Sequence, residues 1–153
     1  MVIPCGFTFL PGDSSDQRLM VVQEASATIP AGGEETLTAF VICIDPTSSA
    51  PDDGETYSMG AMESGDLLRL AQCVCRDNLE ANPMGGLEVM LAGWSLRGES
   101  LAAELGEETE GAAGELFGEG TEELLGGFLE SLSTMGGGLL ERCGIEAPPT
   151  ATP

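Results

Sequence analysis

The stretch VICIDPTSSAPDDGETY, residues 41–57, gathers the side chains of this chain that are best suited to chemistry. A β-branched run ends at Cys43, and a loop rich in serine, proline and acids leads to Tyr57, the only tyrosine. The loop offers carboxylate oxygens of the kind that bind calcium, from Asp45, Asp52, Asp53 and Glu55. Because their spacing misses the EF-hand pattern, we favour a solvated acidic loop over a calcium site, with Asp45 capping a turn.

Cys43 is one of five cysteines, and none of them has the C-x-x-C spacing of a zinc or redox site. The others are Cys5, Cys73, Cys75 and Cys143. On a helix, residues 73 and 75 point to different sides, so the two thiols could not share one partner. The odd count permits at most two disulfides and one free thiol, and both disulfides and reduced, buried thiols remain open. We interpret Cys43 as a structural sulfur, either disulfide-bonded or buried.

The residues that are missing exclude whole classes of function. Without histidine or lysine, the chain has no Ser-His or Cys-His nucleophile pair, no imidazole metal ligand and no Schiff base. Its 26 acids against five arginines give a net charge of −21, which repels phosphate backbones and anionic lipids. We therefore predict a protein that is not an enzyme, binds no nucleic acid and does not insert into a membrane, with calcium as the only cofactor to consider.

Hydrophobic periodicity predicts an α+β fold in which a small antiparallel sheet or barrel packs with a helical C-terminal half. Strand signals occupy GFTFL, RLMVVQE and ETLTAFVICI, between about residues 5 and 57. Helices follow between about residues 63 and 143, the first capped by Ser64 and the second containing Trp94 as a core anchor. We predict a single domain over residues 1–147, and 148–153 as the start of a Pro/Thr linker.

Residues 99–146 are rich in Glu, Gly, Leu and Ala and predict two more amphipathic helices. Their apolar stripes contain Leu101, Leu105, Ala112 and Leu116 in one, and Leu124, Phe128, Leu132, Met135 and Leu139 in the other. Glycine weakens a helix interior by about 1 kcal/mol relative to alanine. We therefore predict a break or kink at the glycines 136–138 and close helix packing at the glycines 126–127.

The blocks ICIDP, APDDGETY, GDLLRLA and LEVMLAGW, within residues 35–97, resemble the thioester domains of Gram-positive surface adhesins. The resemblance implies a β-barrel-like part, a helical part, and an internal thioester between a cysteine thiol and a glutamine side chain. It places Cys43 on the cysteine, and Ala92 and Trp94 on the alanine and tryptophan of the helix motif. Met90 falls on the glutamine. Because methionine has no carboxamide, the resemblance implies the scaffold without its thioester.

Three functions follow as hypotheses, of which the third, a carboxylate-based hydrolase, has only the abundant acids in its favour. The first is a non-catalytic structural or binding module, secreted or at the cell surface, that engages a protein partner or assembles with copies of itself. The run EAPPTATP, typical of the start of a Pro/Thr stalk, favours this hypothesis. The second is an intracellular, cytoplasmic acidic module whose leucine- and phenylalanine-bearing helices dock a protein partner.

Overall fold

The computed structural model describes residues 1–78, 85–97, 131 and 134–147, and it confirms the α+β fold class. Strands come first and helices follow, as the change of hydrophobic period predicts. The strands are β1 (Val2–Ile3), β2 (Phe7–Pro11), β3 (Leu19–Gln23), β4 (Ala25–Ser26), β5 (Phe40–Cys43) and β6 (Tyr57–Met62). The helices are α1 (Gly65–Asp77), α2 (Gly85–Leu96) and α3, over residues 134–142.

The main sheet is antiparallel with the strand order β5-β3-β2-β6, and β1 and β4 form a separate two-stranded pair. The three predicted strand segments provide β2, β3 and β5, which lie side by side. The third is shorter than predicted, since only Phe40–Cys43 is strand. Strand β6 was not predicted, because Met59 and Met62 are 61% and 45% exposed and no alternation of buried and exposed residues marks this segment.

The core lies between one face of this sheet and the helices. Met20 of β3 is in register with Ile42 of β5, and both are buried on that face. Helix side chains close the core from the other side, namely Leu70, Val74, Val89, Ala92, Leu139 and Leu140. Each fully buried leucine contributes about 1.5–3 kcal/mol through removal of apolar surface from water. The three helices are therefore held on the sheet mainly by this layer.

Helix α1 begins after Ser64 as predicted, although the Ser64 side chain makes no capping hydrogen bond. Asp66, in the first turn, instead pairs with Arg69 at 2.8 Å. The helix ends at Asp77 because Asn78 adopts a left-handed conformation, with φ of 52°, and donates its N–H to Val74 O. Helix α2 ends at Leu96, next to the predicted end at residues 97–98.

Of the predicted break or kink at glycines 136–138, the break is wrong, because the helix is continuous from residue 134 to 142. Gly136 is buried against α2, and a Cβ placed there would lie 3.1 Å from both Ala92 N and Leu91 C. The absence of a side chain thus lets the backbones of α3 and α2 approach, which outweighs the weak helix propensity of glycine. The close packing predicted at 126–127, the two predicted helix segments between residues 101 and 132, and the linker 148–153 lie outside the described residues.

Candidate functional site

Four of the five cysteines form two disulfides, Cys5–Cys75 and Cys73–Cys143. Both start from α1, and each links residues 70 apart in the chain. Cys73 and Cys75 have different partners, which confirms that two residues so spaced on a helix face different sides. One bond ties α1 to the segment before β2, and the other ties α1 to the end of α3.

Cys43 is the free cysteine, at the end of β5 and half-buried. Burial raises the pKa of its thiol, and the Asp45 carboxylate raises it further. The thiol therefore stays protonated at neutral pH, whereas an activated cysteine needs a lowered pKa. Of the two structural roles predicted for Cys43, the structure excludes the disulfide, and it places the free thiol in a half-buried position.

The helix α2 lies beside Cys43 and carries the residues that the thioester resemblance singled out. The Trp94 indole Nε1 donates a hydrogen bond of 3.1 Å to the Cys43 carbonyl oxygen, so this half-buried tryptophan anchors α2 to β5. Met90, at the glutamine position, is partly buried and packs on the hydrophobic core. This position therefore supplies an apolar contact and no acyl group for Cys43.

Asp45 belongs to a cluster of four charged residues with Arg18, Glu63 and Arg97. The Arg18 guanidinium binds Asp45 through two hydrogen bonds of 2.7 and 2.8 Å and reaches Glu63 Oε1 at 3.1 Å. Arg97 Nη2 lies 3.4 Å from Asp45 Oδ1. Burial raises the Asp45 pKa, but the hydrogen bonds and charges of the arginines outweigh it and hold that pKa below its ordinary value. The cluster joins β3, the end of β5, the end of β6 and the end of α2.

This cluster borders an open pocket of about 400 Å³. Its lining combines charged and apolar residues, namely Arg18, Glu63, Ser64, Asp66, Leu67, Leu96 and Arg97. Arg97 Nε is buried without a hydrogen-bond partner among the described residues. Asp45 and Glu63 bind Arg18 and Arg97, so neither arginine of the pocket is left unpaired to select an anion.

The structure does not bring the four predicted calcium ligands together. Asp45 is engaged by arginines, whereas Asp52 and Asp53 are exposed in a turn in which Glu55 N donates to Asp52 O. Over residues 1–78, 85–97 and 134–147, no group of three or more His, Cys, Asp or Glu side chains is arranged to hold a metal ion. The Asp45 carbonyl does accept from Ser48 N at 3.1 Å, which agrees with a turn at this position.

Glu55 and Tyr57 form a second polar group with two residues that the sequence analysis missed, Asp16 and Gln17. Burial raises the pKa of Glu55, and the nearby Asp16 carboxylate adds to this effect. The Tyr57 hydroxyl lies 3.2 Å from Gln17 O and 3.3 Å from Glu55 Oε2. Burial and the Glu55 charge raise the pKa of Tyr57 to about 12, so the hydroxyl serves as a hydrogen-bond donor.

The Glu55 carboxyl provides a test of this arrangement. The Glu55 carboxyl binds its proton more tightly in the folded chain than in the unfolded chain. Protonation of Glu55 therefore stabilises the fold, and this stabilisation is fully present below the ordinary pKa of 4.5. It is lost as the pH rises through the raised pKa of the folded state. Glu55→Gln is therefore expected to raise the thermal midpoint at about pH 7, with the difference from wild type vanishing toward about pH 4. Asp53→Asn, which removes one exposed charge, should reproduce only the smaller effect of net charge. Equal gains for both variants would contradict the pairing of Glu55 with Asp16.

All five arginines of the chain are paired with carboxylates. Besides the two in the cluster, Arg69 pairs with Asp66, Arg76 with Asp77 and Arg142 with Glu88. The scarcity of cations beside 26 acids could have indicated that each arginine has an acidic partner, but not which one.

Comparison of the chain with family models, curated proteins and solved structures finds no match in any of the three. The likeness to thioester domains therefore stays a prediction. Within the described residues, no helix has the length and apolar character to cross a membrane.

Proposed function

We propose that this chain is a non-catalytic binding or structural module that works outside the cell, similar to a thioester domain but without the thioester. The observation that supports it best is the pair of disulfides, Cys5–Cys75 and Cys73–Cys143. Disulfides of this kind persist in oxidising compartments, whereas cytosolic thiols are kept reduced. The two bonds therefore favour the secreted or cell-surface hypothesis over the cytoplasmic one.

The chemistry around Cys43 supports a non-catalytic role. Its thiol has a raised pKa, and the chain contains no histidine to act as its base. Met90 cannot supply the acyl group of a thioester. We therefore infer that the module binds a partner. Because acids are in surplus, a cationic or neutral protein suits it best.

The protein is secreted into an oxidising medium and then unfolded without reductant. Under these conditions the proposal predicts one alkylatable thiol for each chain, and five after reduction. The intact mass should be that of the sequence less the four hydrogens of two disulfides, with no loss of ammonia. Cys43→Ser is the control and should leave no reactive thiol before reduction. A blocked Cys43 with loss of ammonia would show a crosslink to an amide side chain. Five reactive thiols in protein taken directly from its native cells would instead contradict an extracellular location.

A further inference from the structure

The two edges of the main sheet differ in how they are protected. At the β5 edge, the Cys43 carbonyl accepts a hydrogen bond from Trp94 Nε1, and a Cβ placed on Gly86 of α2 would lie 3.5 Å from the Phe40 ring. Helix α2 therefore contacts both ends of β5. The β6 edge, with the sequence YSMGAM, contains no charged residue and no proline, the usual devices that prevent strand addition.

On the outer side of β6, the backbone has hydrogen-bonding groups with no strand partner among the described residues. Gly12 N donates to Thr56 O at 3.1 Å, and Leu10 is in register with Ser58. Because hydrogen-bonded and non-hydrogen-bonded pairs alternate in an antiparallel ladder, the N–H and C=O groups of Tyr57 and Met59 point away from β2. Met59 is 61% exposed, so this part of the edge is accessible.

A β-bulge limits this edge toward its C-terminal end. The register of β2 and β6 shifts beyond the pair Phe9 and Met59. At this shift, the Thr8 hydroxyl donates a hydrogen bond to Ala61 O at 2.8 Å and accepts one from Ala61 N at 3.3 Å. The regular template for an added strand is therefore short and centred on residues 57–59.

Charge indicates the chemistry of the partner. Every arginine is already bound to a carboxylate, so the net charge of −21 attracts cations and leaves no unpaired basic side chain for an anionic partner. Asp52 and Asp53 are exposed in the turn that precedes β6. Two copies of this chain would instead repel each other at close approach.

We propose that β6 is a docking edge for an extended segment of a cationic protein, which adds to the sheet as a fifth strand. An antiparallel strand would place an uncharged run beside Tyr57 and Met59, and lysine or arginine after that run beside Asp52 and Asp53. Backbone hydrogen bonds give such strand addition its affinity, while the basic end gives it orientation. The proposal rests on the proposed binding role, and the thiol count tests the extracellular part of that role independently of any peptide.

The test uses a synthetic peptide with an alternating Thr-Val run followed by three lysines, and a control peptide with three glutamates in their place. Titration calorimetry should show binding of the lysine peptide only, weakening as salt increases. Met59→Pro removes an outward N–H without removing a bond to β2, and should raise the Kd roughly fivefold to tenfold. Met59→Thr keeps that N–H and should bind within about twofold of wild type.

Hydrogen exchange on the wild type provides a measurement that does not depend on the folding of any variant. The amides of Tyr57 and Met59 should become protected only when the lysine peptide is present. Equal binding of the glutamate peptide, unchanged binding by a folded Met59→Pro variant, or protection elsewhere on the chain would each overturn the proposal. Light scattering that shows a dimer lost in Met59→Pro, without peptide binding by the wild type, would also overturn it by assigning the edge to a second copy.

Discussion

Replacing Cys73 and Cys143 together by serine is expected to lower the free energy of unfolding by about 4 kcal/mol, because the disulfide closes a loop of 70 residues in the unfolded chain. Most domains are stable by only about 5–15 kcal/mol, so this loss would remove a large part of the total. Denaturant unfolding followed by circular dichroism gives the measurement. Reduction of both disulfides should destabilise the fold further, because Cys5–Cys75 restrains a second long loop.

The matched control for this prediction is Cys43→Ser. Cys43 forms no disulfide, so its replacement leaves both loops closed and should change the stability far less. A double Cys73→Ser/Cys143→Ser variant as stable as Cys43→Ser would show that the second bond does not restrain the chain. The same comparison done under reducing conditions should bring all variants close together, since the disulfides are then absent from each.

Gly136→Val is expected to lower the free energy of unfolding by about 2–3 kcal/mol through overpacking. A Cβ placed at this position would lie 3.1 Å from backbone atoms of Leu91 and Ala92, and valine would add two methyl groups beyond it. The α2 backbone cannot rotate away from the new side chain, as the end of a flexible side chain could. Helix α3 must therefore move away from α2, which loosens the core. Thermal or urea unfolding measures the loss, and a smaller m-value would show that the native state has also expanded.

The adjacent glycine supplies a control of opposite sign. A Cβ at Gly137 would have no described atom within 4 Å, so Gly137→Ala meets no steric barrier. It should raise the stability by about 0.5–1 kcal/mol, because alanine favours the helix more than glycine does. Destabilisation by Gly137→Ala, or neutrality of Gly136→Val, would contradict the continuous helix α3 and its close contact with α2.

Several features of this fold could be predicted because they depend on neighbours in the chain. The short apolar run in RLMVVQE predicts β3, and the apolar stripe through Met90 and Trp94 predicts α2. The spacing of Cys73 and Cys75 predicts that they have different partners, whatever those partners are. In contrast, Gly136 has the same local signature whether it breaks a helix or allows two helices to touch, so the local prediction was wrong.

The candidate site depends on contacts between residues far apart in the chain. Arg18 and Asp45 are 27 residues apart, and Arg97 joins them from the end of α2. No sequence spacing indicates which of 26 acids an arginine will bind, since the choice is made when β3, β5 and α2 pack together. The same holds for Asp16 and Gln17 beside Glu55 and for the edge position of β6.

By itself, the sequence determined which chemistries this protein lacks, because the absence of histidine and lysine and a net charge of −21 do not depend on folding. It also determined the order of strands and helices, since hydrophobic period is a local property. Only the tertiary structure decided that Cys43 stays free while the other four cysteines pair. It also decided that α2 contacts β5 and that no described strand pairs with the outer side of β6, because each depends on which distant surfaces pack to bury the core.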